Sequence, residues 1–303
     1  MNFIRPIVKK IEQKNAYRKF IKNIESEILG VTDENYIKQY NEEIDWLKQH
    51  PWGGRTKQIQ YPYPWTEKYV KKPVVQIDEE GYPNIKVNNK TLYFRKGTSK
   101  KVIANSWISL SMEQDARSPH CYCNEEFPFP KDSIIFDIGS ADASFTLSHI
   151  EEIRYAYLFE ADPAWNEALC KTFEPYKEKV KIISKYVGSK NDDNNITLNE
   201  FLKEVPVDHR RNTFIKMDIE GAEVDALSCA DVFLNAMTDV QMSVCTYHRY
   251  RDEADIRKMF DSLEWSVEKS NGVMLVDTRG LGWEDNQYPW FRTGLLHIKC
   301  KAR

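Results

Sequence analysis

Three carboxylates stand at the ends of short apolar runs that have the length and composition of buried strands. Asp137, Glu160 and Asp218 each close or follow such a run. Helical patterns separate the runs, and this alternation predicts a parallel sheet whose strands all end at one edge. Ligands bind at that edge in open parallel sheets. A helix N-cap would explain any one of these residues alone, but three at successive strand ends favour a shared binding crevice.

The segment 136–143, FDIGSADA, joins the first of these strands to a helix through an Asp-x-Gly turn of small residues. Such a turn lets backbone N–H groups and a helix N-terminus approach a ligand closely. The same strand–turn–helix unit serves NAD, FAD and S-adenosylmethionine. Glu160 lies about twenty positions further on, where a carboxylate can bind both hydroxyls of a ribose. The unit therefore predicts a cofactor that contains a nucleoside.

Charge distinguishes among these cofactors. A dinucleotide fingerprint requires a second glycine so that a pyrophosphate can approach, but this chain has Ala141 there, followed by Asp142. The carboxylate of Asp142 would lie close to the pyrophosphate. Asp137 is also unfavourable for a phosphate, whereas it suits the amino group and positive charge of a methionine sulfonium. The pattern therefore favours S-adenosylmethionine.

Five segments together resemble a known family: IFDIGSADASFT, LFEADP, ITLNEFL, FIKMDIEGAE and VCTYHR. They are similar to the FkbM family of S-adenosylmethionine-dependent methyltransferases over residues 133–303. The most specific part is the motif Lys-x-Asp-x-Glu-Gly-x-Glu, which comprises Lys216, Asp218, Glu220, Gly221 and Glu223. The resemblance implies a Rossmann-like seven-stranded fold and O-methyl transfer, commonly onto hydroxyls of sugars or natural products.

The strand ends and the resemblance together give a predicted set of cofactor-binding residues. Gln114 is included because the segment 113–120 resembles the lead-in of some members of the family, where it would lie beside the cofactor. The set is Asp137, Gly139, Ser140, Ala141, Phe145, Glu160, Ala161, Val187, Asp218 and Gln114.

The chain departs from the family pattern at two positions. Ala143 stands where the first loop has a glycine, and we expect an ordinary negative φ there and slightly less room in the loop. Asn199 stands where the family has an aspartate, which weakens any role for that carboxylate. The altered loop is the one feature that favours a non-catalytic reading, in which the chain is an S-adenosylmethionine-binding or scaffolding protein of the same fold.

Methyl transfer to a hydroxyl needs the acceptor oxygen held about 3 Å from the methyl group and a base that removes its proton. His248 follows the fifth strand and His120 lies in the lead-in segment, so both are candidate bases. Asp218 and Glu220 could assist either histidine, or they could bind a divalent metal that acidifies a sugar hydroxyl. Metal binding stays open, and no metal ligand is predicted.

A loop near the C-terminus is rich in aromatic side chains. It contains Trp283, Tyr288, Trp290, Phe291 and Arg292. These side chains could stack on sugar rings or pair with the phosphates of an activated sugar. A minor hydrophobic cluster under a long loop is an equally good interpretation.

The sequence predicts two regions. Residues 1–130 form an N-terminal region for substrate or oligomer contacts, with helices up to residue 49 interrupted at 30–33, a β-meander over 74–95 and a helix over 102–112. Residues 131–303 form the S-adenosylmethionine-binding methyltransferase domain, an α/β Rossmann-like class I fold with a mostly parallel seven-stranded sheet. The runs 272–277 and 295–299 lack a crossover helix, and we expect them to pair antiparallel at the sheet edge.

The composition limits the classes of partner that the protein is expected to bind. The net charge of -3 and the pI near 6.1 give no support for a nucleic-acid partner. No apolar run reaches the roughly 18 residues of a membrane span, and the N-terminus does not read as a signal peptide. Scattered cysteines point to the reducing cytoplasm. The predicted partner is a saccharide or small-molecule acceptor, with a homo-oligomer through the N-terminal region as a further expectation.

Overall fold

The computed structural model describes residues 26, 28–50, 59–261, 263, 265–276 and 290–300. These residues divide into two compact units. The smaller unit combines the described residues up to Lys68 with those between 273 and 292, and the larger unit combines Tyr69–Gly272 with the described residues from Thr293 onwards. The division of roles at residue 130 stays a prediction.

The strands, in chain order, are β1 Ile59–Gln60, β2 Gln76–Ile77, β3 Pro83–Val87, β4 Lys90–Tyr93, β5 Ser133–Ile138, β6 Ile153–Phe159, β7 Val180–Ile183, β8 Tyr186–Val187, β9 Asn195–Ile196, β10 Arg211–Met217, β11 Thr238–Cys245, β12 Ser266–Lys269, β13 Met274–Val276, β14 Phe291–Arg292 and β15 Leu295–Lys299. The α-helices are α1 Glu34–Gln39, α2 Asn41–Gln49, α3 Lys100–Glu113, α4 Ser144–His149, α5 Pro163–Phe173, α6 Leu198–Phe201, α7 Glu223–Ser228, α8 Asp231–Ala236 and α9 Asp252–Asp261. Short 3-10 helices span Pro64–Lys68, Glu174–Lys179, Leu202–Glu204 and Val207–His209.

The larger unit is built on a seven-stranded sheet in the order β12-β15-β11-β10-β5-β6-β7. β10 is parallel to β5 and β11, and β6 is parallel to β5 and β7. β15 is antiparallel to both of its neighbours, β11 and β12. This topology confirms the predicted Rossmann-like methyltransferase fold class. The antiparallel strand lies one place inside the edge, because β12 is added outside it.

The pairing expected for the last two runs is wrong. The partner of β15 at the edge is β12, whereas β13 pairs with β1 and β14 in a separate sheet. β12 could not be predicted from the sequence because its residues, Ser-Val-Glu-Lys, do not form an apolar run. An edge strand needs apolar cover on fewer sides than a central strand does, and charged residues are common there.

The central strands β5 and β10 lie at the middle of the core. Every residue of β5 is buried, and Phe136, Phe214 and Ile215 have no exposed surface. Helices cover both faces of a parallel sheet, so its strands read as continuous apolar runs. The predicted β-meander is confirmed as the antiparallel sheet β2-β3-β4. The helix predicted over 102–112 is α3, which begins after the cap Ser99.

The smaller unit contains α1, α2 and the sheet β1-β13-β14. Asp33 caps α1 through two backbone N–H groups, which is the helix start that the break at 30–33 predicted. Trp290 and Phe291 are buried in a hydrophobic cluster with Tyr36 and Leu47, so for these two residues the packing interpretation fits. Most of the first predicted N-terminal helix, and also Trp283 and Tyr288, lie outside the described residues. None of the described helices has the length and apolar composition needed to cross a bilayer.

Candidate functional site

A cavity of about 600 Å³ opens at the carboxyl ends of β5, β6 and β10. Its wall contains acidic side chains from several elements, and it also contains Lys185 and Lys190. The predicted site residues that line it are Gly139, Ala141, Glu160, Ala161, Val187, Asp218 and Glu220. Strand ends thus bring the three predicted carboxylate positions to one region, although only Glu160 and Asp218 reach the cavity.

Glu160 is held at the end of β6 by two backbone groups. One carboxylate oxygen accepts a hydrogen bond from the Ala141 N–H at 2.9 Å, and the other accepts one from the Asp162 N–H at 2.8 Å. Each carboxylate oxygen can accept a second hydrogen bond. The side chain is therefore fixed in position and still able to bind a pair of hydroxyl groups.

Backbone N–H groups of the turn after β5 form hydrogen bonds with acceptors within the protein. The N–H groups of Gly139 and Ser140 both donate to the Phe159 carbonyl at 3.0 Å. The Ser144 N–H donates to the carboxylate of Asp142 at 2.8 Å. An anion at this turn would find the amides of Gly139, Ser140 and Ser144 engaged and a buried carboxyl group beside it. The turn therefore suits a neutral or cationic ligand.

The expected ordinary φ at Ala143 is wrong. Ala143 has φ 53° and Ala141 has φ 46°, so both alanines adopt the left-handed conformation that glycine takes at no cost. Hydrogen bonds fix this shape, since the Ala143 N–H donates to the Ser140 carbonyl at 2.7 Å. The backbone of the turn accommodates these alanines in the left-handed conformation, and the alternative of a non-catalytic protein of the same fold stays a prediction.

Asp137 does not line the cavity. Its carboxylate is buried and forms an ion pair with Lys216 at 3.0 Å, and it accepts a hydrogen bond from the Thr146 hydroxyl at 2.7 Å. The Lys216 ammonium also donates to the Gly139 carbonyl. Burial acts to lower the pKa of Lys216, but the charges of Asp137 and Asp218 outweigh it and raise that pKa. Asp137 and Lys216 thus fix the base of the turn.

Asp218 is the centre of the charged cluster beside the cavity. Its carboxylate accepts a hydrogen bond from the Tyr122 hydroxyl at 2.9 Å and lies 3.4 Å from His248 and 3.7 Å from His120. Burial acts to raise the pKa of Asp218. The charges of His248 and Lys216 and the Tyr122 hydrogen bond outweigh burial and lower it to about 2. Asp218 is therefore a permanent anion.

The two candidate bases differ in charge. His248 is fully buried, with Nδ1 3.0 Å from Glu223 and Nε2 facing Asp218 and Glu220. Burial opposes its protonation, but the charge and hydrogen bond of Glu223 prevail and raise its pKa to about 9. Burial lowers the pKa of His120 to about 4. At neutral pH these pKa values favour the imidazolium form of His248 and the neutral form of His120.

The protonated state of His248 is expected to contribute to the free energy of unfolding. Its folded pKa of about 9 lies above the unfolded value of 6.5, so this contribution is complete below pH 6.5 and is lost as the pH rises through 9. We expect the loss to be roughly 3 kcal/mol of the free energy of unfolding. Urea unfolding of the wild type and His248→Gln at pH 6 and pH 9.5 checks this. Glu113 and Asp252 titrate in the same pH range. The comparison is therefore between the stability that the wild type loses from pH 6 to pH 9.5 and the stability that His248→Gln loses over the same range. Equal losses in the two proteins would contradict the raised pKa of His248.

Four predicted cofactor-binding residues support the cavity without lining it. Besides Asp137, these are Ser140, Phe145 and Gln114. The Ser140 hydroxyl donates to the Asp137 carbonyl at 2.8 Å, and Phe145 packs against Tyr122 with ring centroids 5.2 Å apart. The Gln114 amide donates to the His120 carbonyl at 3.3 Å. Gln114 therefore shapes the lead-in segment that delivers His120 and Tyr122 to Asp218.

Asp218 belongs to two sets of side chains with the spacing of metal ligands. One set adds His120 and Cys245, and the other adds Glu223 and His248, with ligand atoms within 4.8 Å of one another. Lys216 and the imidazolium of His248 already compensate the charge of Asp218. Lys216 also pairs with Asp137, and His248 also pairs with Glu223, so these two cations compensate only part of the negative charge of the cluster.

No protein-family model matches the chain, and no curated protein matches it. Solved structures resemble it at low identity. Methyltransferase FkbM from Methylobacillus flagellatus is 14% identical, with a TM-score of 0.41 over 68% of this chain and 56% of that one. Precorrin-6y C5,15-methyltransferase from Geobacter metallireducens is 13% identical, with a TM-score of 0.39 over 68% and 93%. A putative methyltransferase from Streptococcus mutans, SMU.1697c, in complex with SAH, is 14% identical, with a TM-score of 0.36 over 56% and 90%. The chain spans little more than half the length of the FkbM protein, and the likeness concerns the fold alone.

Proposed function

We propose that the protein is an S-adenosylmethionine-dependent methyltransferase that transfers the methyl group to a hydroxyl of a saccharide or glycosylated small molecule. The observation that carries the proposal is the distribution of charge at the cavity. Glu160, Asp218 and Glu220 line it. The amides of Gly139, Ser140 and Ala141 in the adjoining turn donate within the protein. This arrangement suits a ribose and a cationic group, and it is unfavourable for a pyrophosphate.

The residues present fit S-adenosylmethionine. Glu160 would accept hydrogen bonds from the ribose hydroxyls, because both of its oxygens keep acceptor capacity. Ala161 and Val187 would offer apolar walls to the base, and Asp218 and Glu220 would stabilise the cationic end. The bound cofactor supplies a methyl group activated by its sulfonium leaving group. Membership of the FkbM family is part of the proposal and is supported by the motif 216–223.

Within this proposal the carboxylates and histidines have separate tasks. His248 is a positioning residue, since its charge is matched to Glu223 and Asp218 and it is already protonated at neutral pH. Asp218, which lines the cavity, orients the buried side chains of Tyr122 and His120. A hydroxyl acceptor agrees with the net charge of -3, which offers little to the phosphates of a nucleic acid.

The proposal extends to the cellular location and the assembly of the protein. All six cysteines are free, which is the state expected in a reducing cytoplasm. Residues 131–303 would bind the cofactor, and residues 1–130 would serve acceptor or oligomer contacts. Sedimentation analysis of the full chain and of a chain shortened by its first 25 residues tests the oligomer expectation.

Titration of the full chain with S-adenosylmethionine in a calorimeter tests the proposal. We expect saturable binding, and we expect Glu160→Gln to weaken it roughly 30-fold, because one charge-assisted hydrogen-bond pair is worth about 2 kcal/mol. Glu178→Gln is the matched control, since Glu178 is exposed and does not line the cavity. Absence of binding to the intact chain would rule out the methyltransferase assignment.

A further inference from the structure

A second cavity, of about 310 Å³, lies against α3 in the larger unit. Ser106, Ser109 and Glu113 line it from α3, where their spacing places them on one face of the helix. Arg95, Asp142 and Trp165 contribute other parts of its wall. The cavity is at the small end of the range for ligand sites, about 300–1,000 Å³, so it suits a ligand the size of one or two rings.

The smaller cavity adjoins the larger one. Trp165 lines both, and Asp142 directly follows Ala141, which lines the larger cavity. The Glu113 carboxyl interacts electrostatically with Asp218 and Asp142. Glu113 therefore lines the smaller cavity and is within electrostatic range of the charged cluster at the strand ends.

The lining combines hydroxyl groups, carboxyl groups and an indole ring. Hydroxyls and carboxyls exchange hydrogen bonds with a ligand that carries several hydroxyls. The Arg95 guanidinium lies 4.8 Å from the Trp165 ring centroid and pairs with Asp162 at 3.1 Å, which holds the indole in place. The charge of Arg95 is already compensated by Asp162, and the carboxyl groups of Glu113 and Asp142 offer no cation to a phosphorylated ligand. The wall fits an uncharged ring with several hydroxyls.

We propose that the smaller cavity binds the acceptor and that Glu113 removes the proton of the acceptor hydroxyl. The inference rests on the function proposed above. As the acceptor oxygen bonds to the methyl carbon, the carbon–sulfur bond breaks and its electron pair stays on sulfur as a thioether. The hydroxyl proton moves to the Glu113 carboxylate, so that atoms and charges balance.

The surroundings of Glu113 link its ionisation to the cofactor. Burial and the charges of Asp218 and Asp142 raise the pKa of Glu113 to about 8. A cation in the larger cavity opposes those negative charges and favours the carboxylate form of Glu113. Cofactor binding thus produces the base, and the neutral carboxyl group limits repulsion when the site is empty.

Proton release on cofactor binding tests the role of Glu113 without an acceptor. At pH 7.5 a carboxyl group with a pKa of about 8 is about three-quarters protonated. Titration of the protein with S-adenosylmethionine in buffers of different ionisation enthalpy measures the protons released. We expect Glu113→Gln to bind the cofactor within about threefold of the wild type and to release at least half a proton less per cofactor. Equal release from the variant and the wild type overturns the assignment, and Glu178→Gln is the control.

Saturation-transfer NMR locates the acceptor. The probes are the methyl glycosides of glucose, galactose, mannose and rhamnose, added to protein loaded with S-adenosylhomocysteine. We expect transfer to at least one glycoside, lost in Ser109→Trp, which fills the smaller cavity, and in a second filling variant, Ser106→Trp. Calorimetry with S-adenosylmethionine confirms that both variants are folded and keep the cofactor site. Transfer to no glycoside, or transfer that persists in both variants, overturns the inference. Absence of S-adenosylmethionine binding to the wild type would contradict the proposed function, and not only the inference about the acceptor.

Discussion

Gly139→Ala is expected to remove more than 4 kcal/mol from the free energy of unfolding. A Cβ atom built on Gly139 would lie 1.9 Å from the carbonyl oxygen of Asp218 and 2.9 Å from its carbonyl carbon. These are backbone atoms of the neighbouring strand end, where the Asp218 N–H donates to the Ile138 carbonyl at 3.0 Å. The segments that contain Gly139 and Asp218 cannot move apart without breaking the pairing of β5 and β10 at the cavity. The positive φ of 80° at Gly139 adds strain for any other residue.

Substitutions at two other glycines distinguish the effect of the steric clash from the effect of the positive φ. Gly97 has φ 81° with nothing within 4 Å of a built Cβ, so Gly97→Ala should cost only about 1 kcal/mol. Gly188 lines the larger cavity, has no positive φ and has the same open space, so Gly188→Ala should be close to neutral. Urea unfolding of the three variants gives the comparison. A cost for Gly139→Ala no greater than that for Gly97→Ala would contradict the close approach.

The central sheet could be predicted because burial leaves a local trace in the sequence. β5, β6, β10 and β11 are covered on both faces and read as apolar runs. β12 could not be predicted, since two of its four residues are charged and its pairing with β15 depends on distant sequence. The pairing of β13 also depends on distant sequence, which explains why the sequence analysis places it in the wrong sheet. Its apolar residues fit any covered strand.

The turn after β5 shows why local propensity failed at Ala143. An alanine by itself favours a negative φ, but the amides of Gly139 and Ser140 are bonded to the Phe159 carbonyl of β6. These bonds join residues about twenty positions apart, and they fix the path of the chain before the helix begins. Tertiary bonding therefore overrides the preference of a single residue.

The charged site was only partly predictable. Strand ends located Glu160 and Asp218, but nothing local shows that Tyr122 reaches Asp218, because 96 residues separate them. The position of Glu113 against the smaller cavity could not be predicted either, because the other residues of that cavity wall, such as Arg95 and Trp165, are distant from it in the sequence. His248 was correctly placed at a strand end. Its protonated state depends on Glu223, whose carboxylate lies at the start of α7 and faces the ring.

The departure at Asn199 has a local explanation. Its side-chain oxygen accepts a hydrogen bond from the Phe233 N–H at 2.8 Å, and its amide donates to Asp231 at 2.8 Å. Asn199 therefore ties α6 to the first turn of α8. An aspartate there would place its charge beside the carboxylate of Asp231, so the amide suits this position in the present chain.

Lys216→Met is expected to cost about 3–5 kcal/mol of the free energy of unfolding, because it leaves the carboxylate of Asp137 buried without its cation. Lys216 and Asp137 are respectively 6% and 1% exposed, so water cannot replace the lost partner. The Gly139 carbonyl also loses the donor that Lys216 provides. Urea unfolding measures the loss. Lys181→Met is the matched control, since Lys181 pairs with Glu204 at 2.8 Å on the surface and should contribute less than about 1 kcal/mol.

A double-mutant cycle with Asp137→Asn separates charge from packing. Asparagine removes the charge of Asp137 and keeps an oxygen for the Thr146 hydroxyl, so the double variant should be at least 2 kcal/mol more stable than additivity predicts. Additive losses would show that Lys216 acts through packing alone. If the coupling is found, the lysine of the motif fixes the turn against the sheet. The variant Lys216→Met would then weaken cofactor binding by releasing Gly139 and Ala141, with no direct contact to the cofactor required.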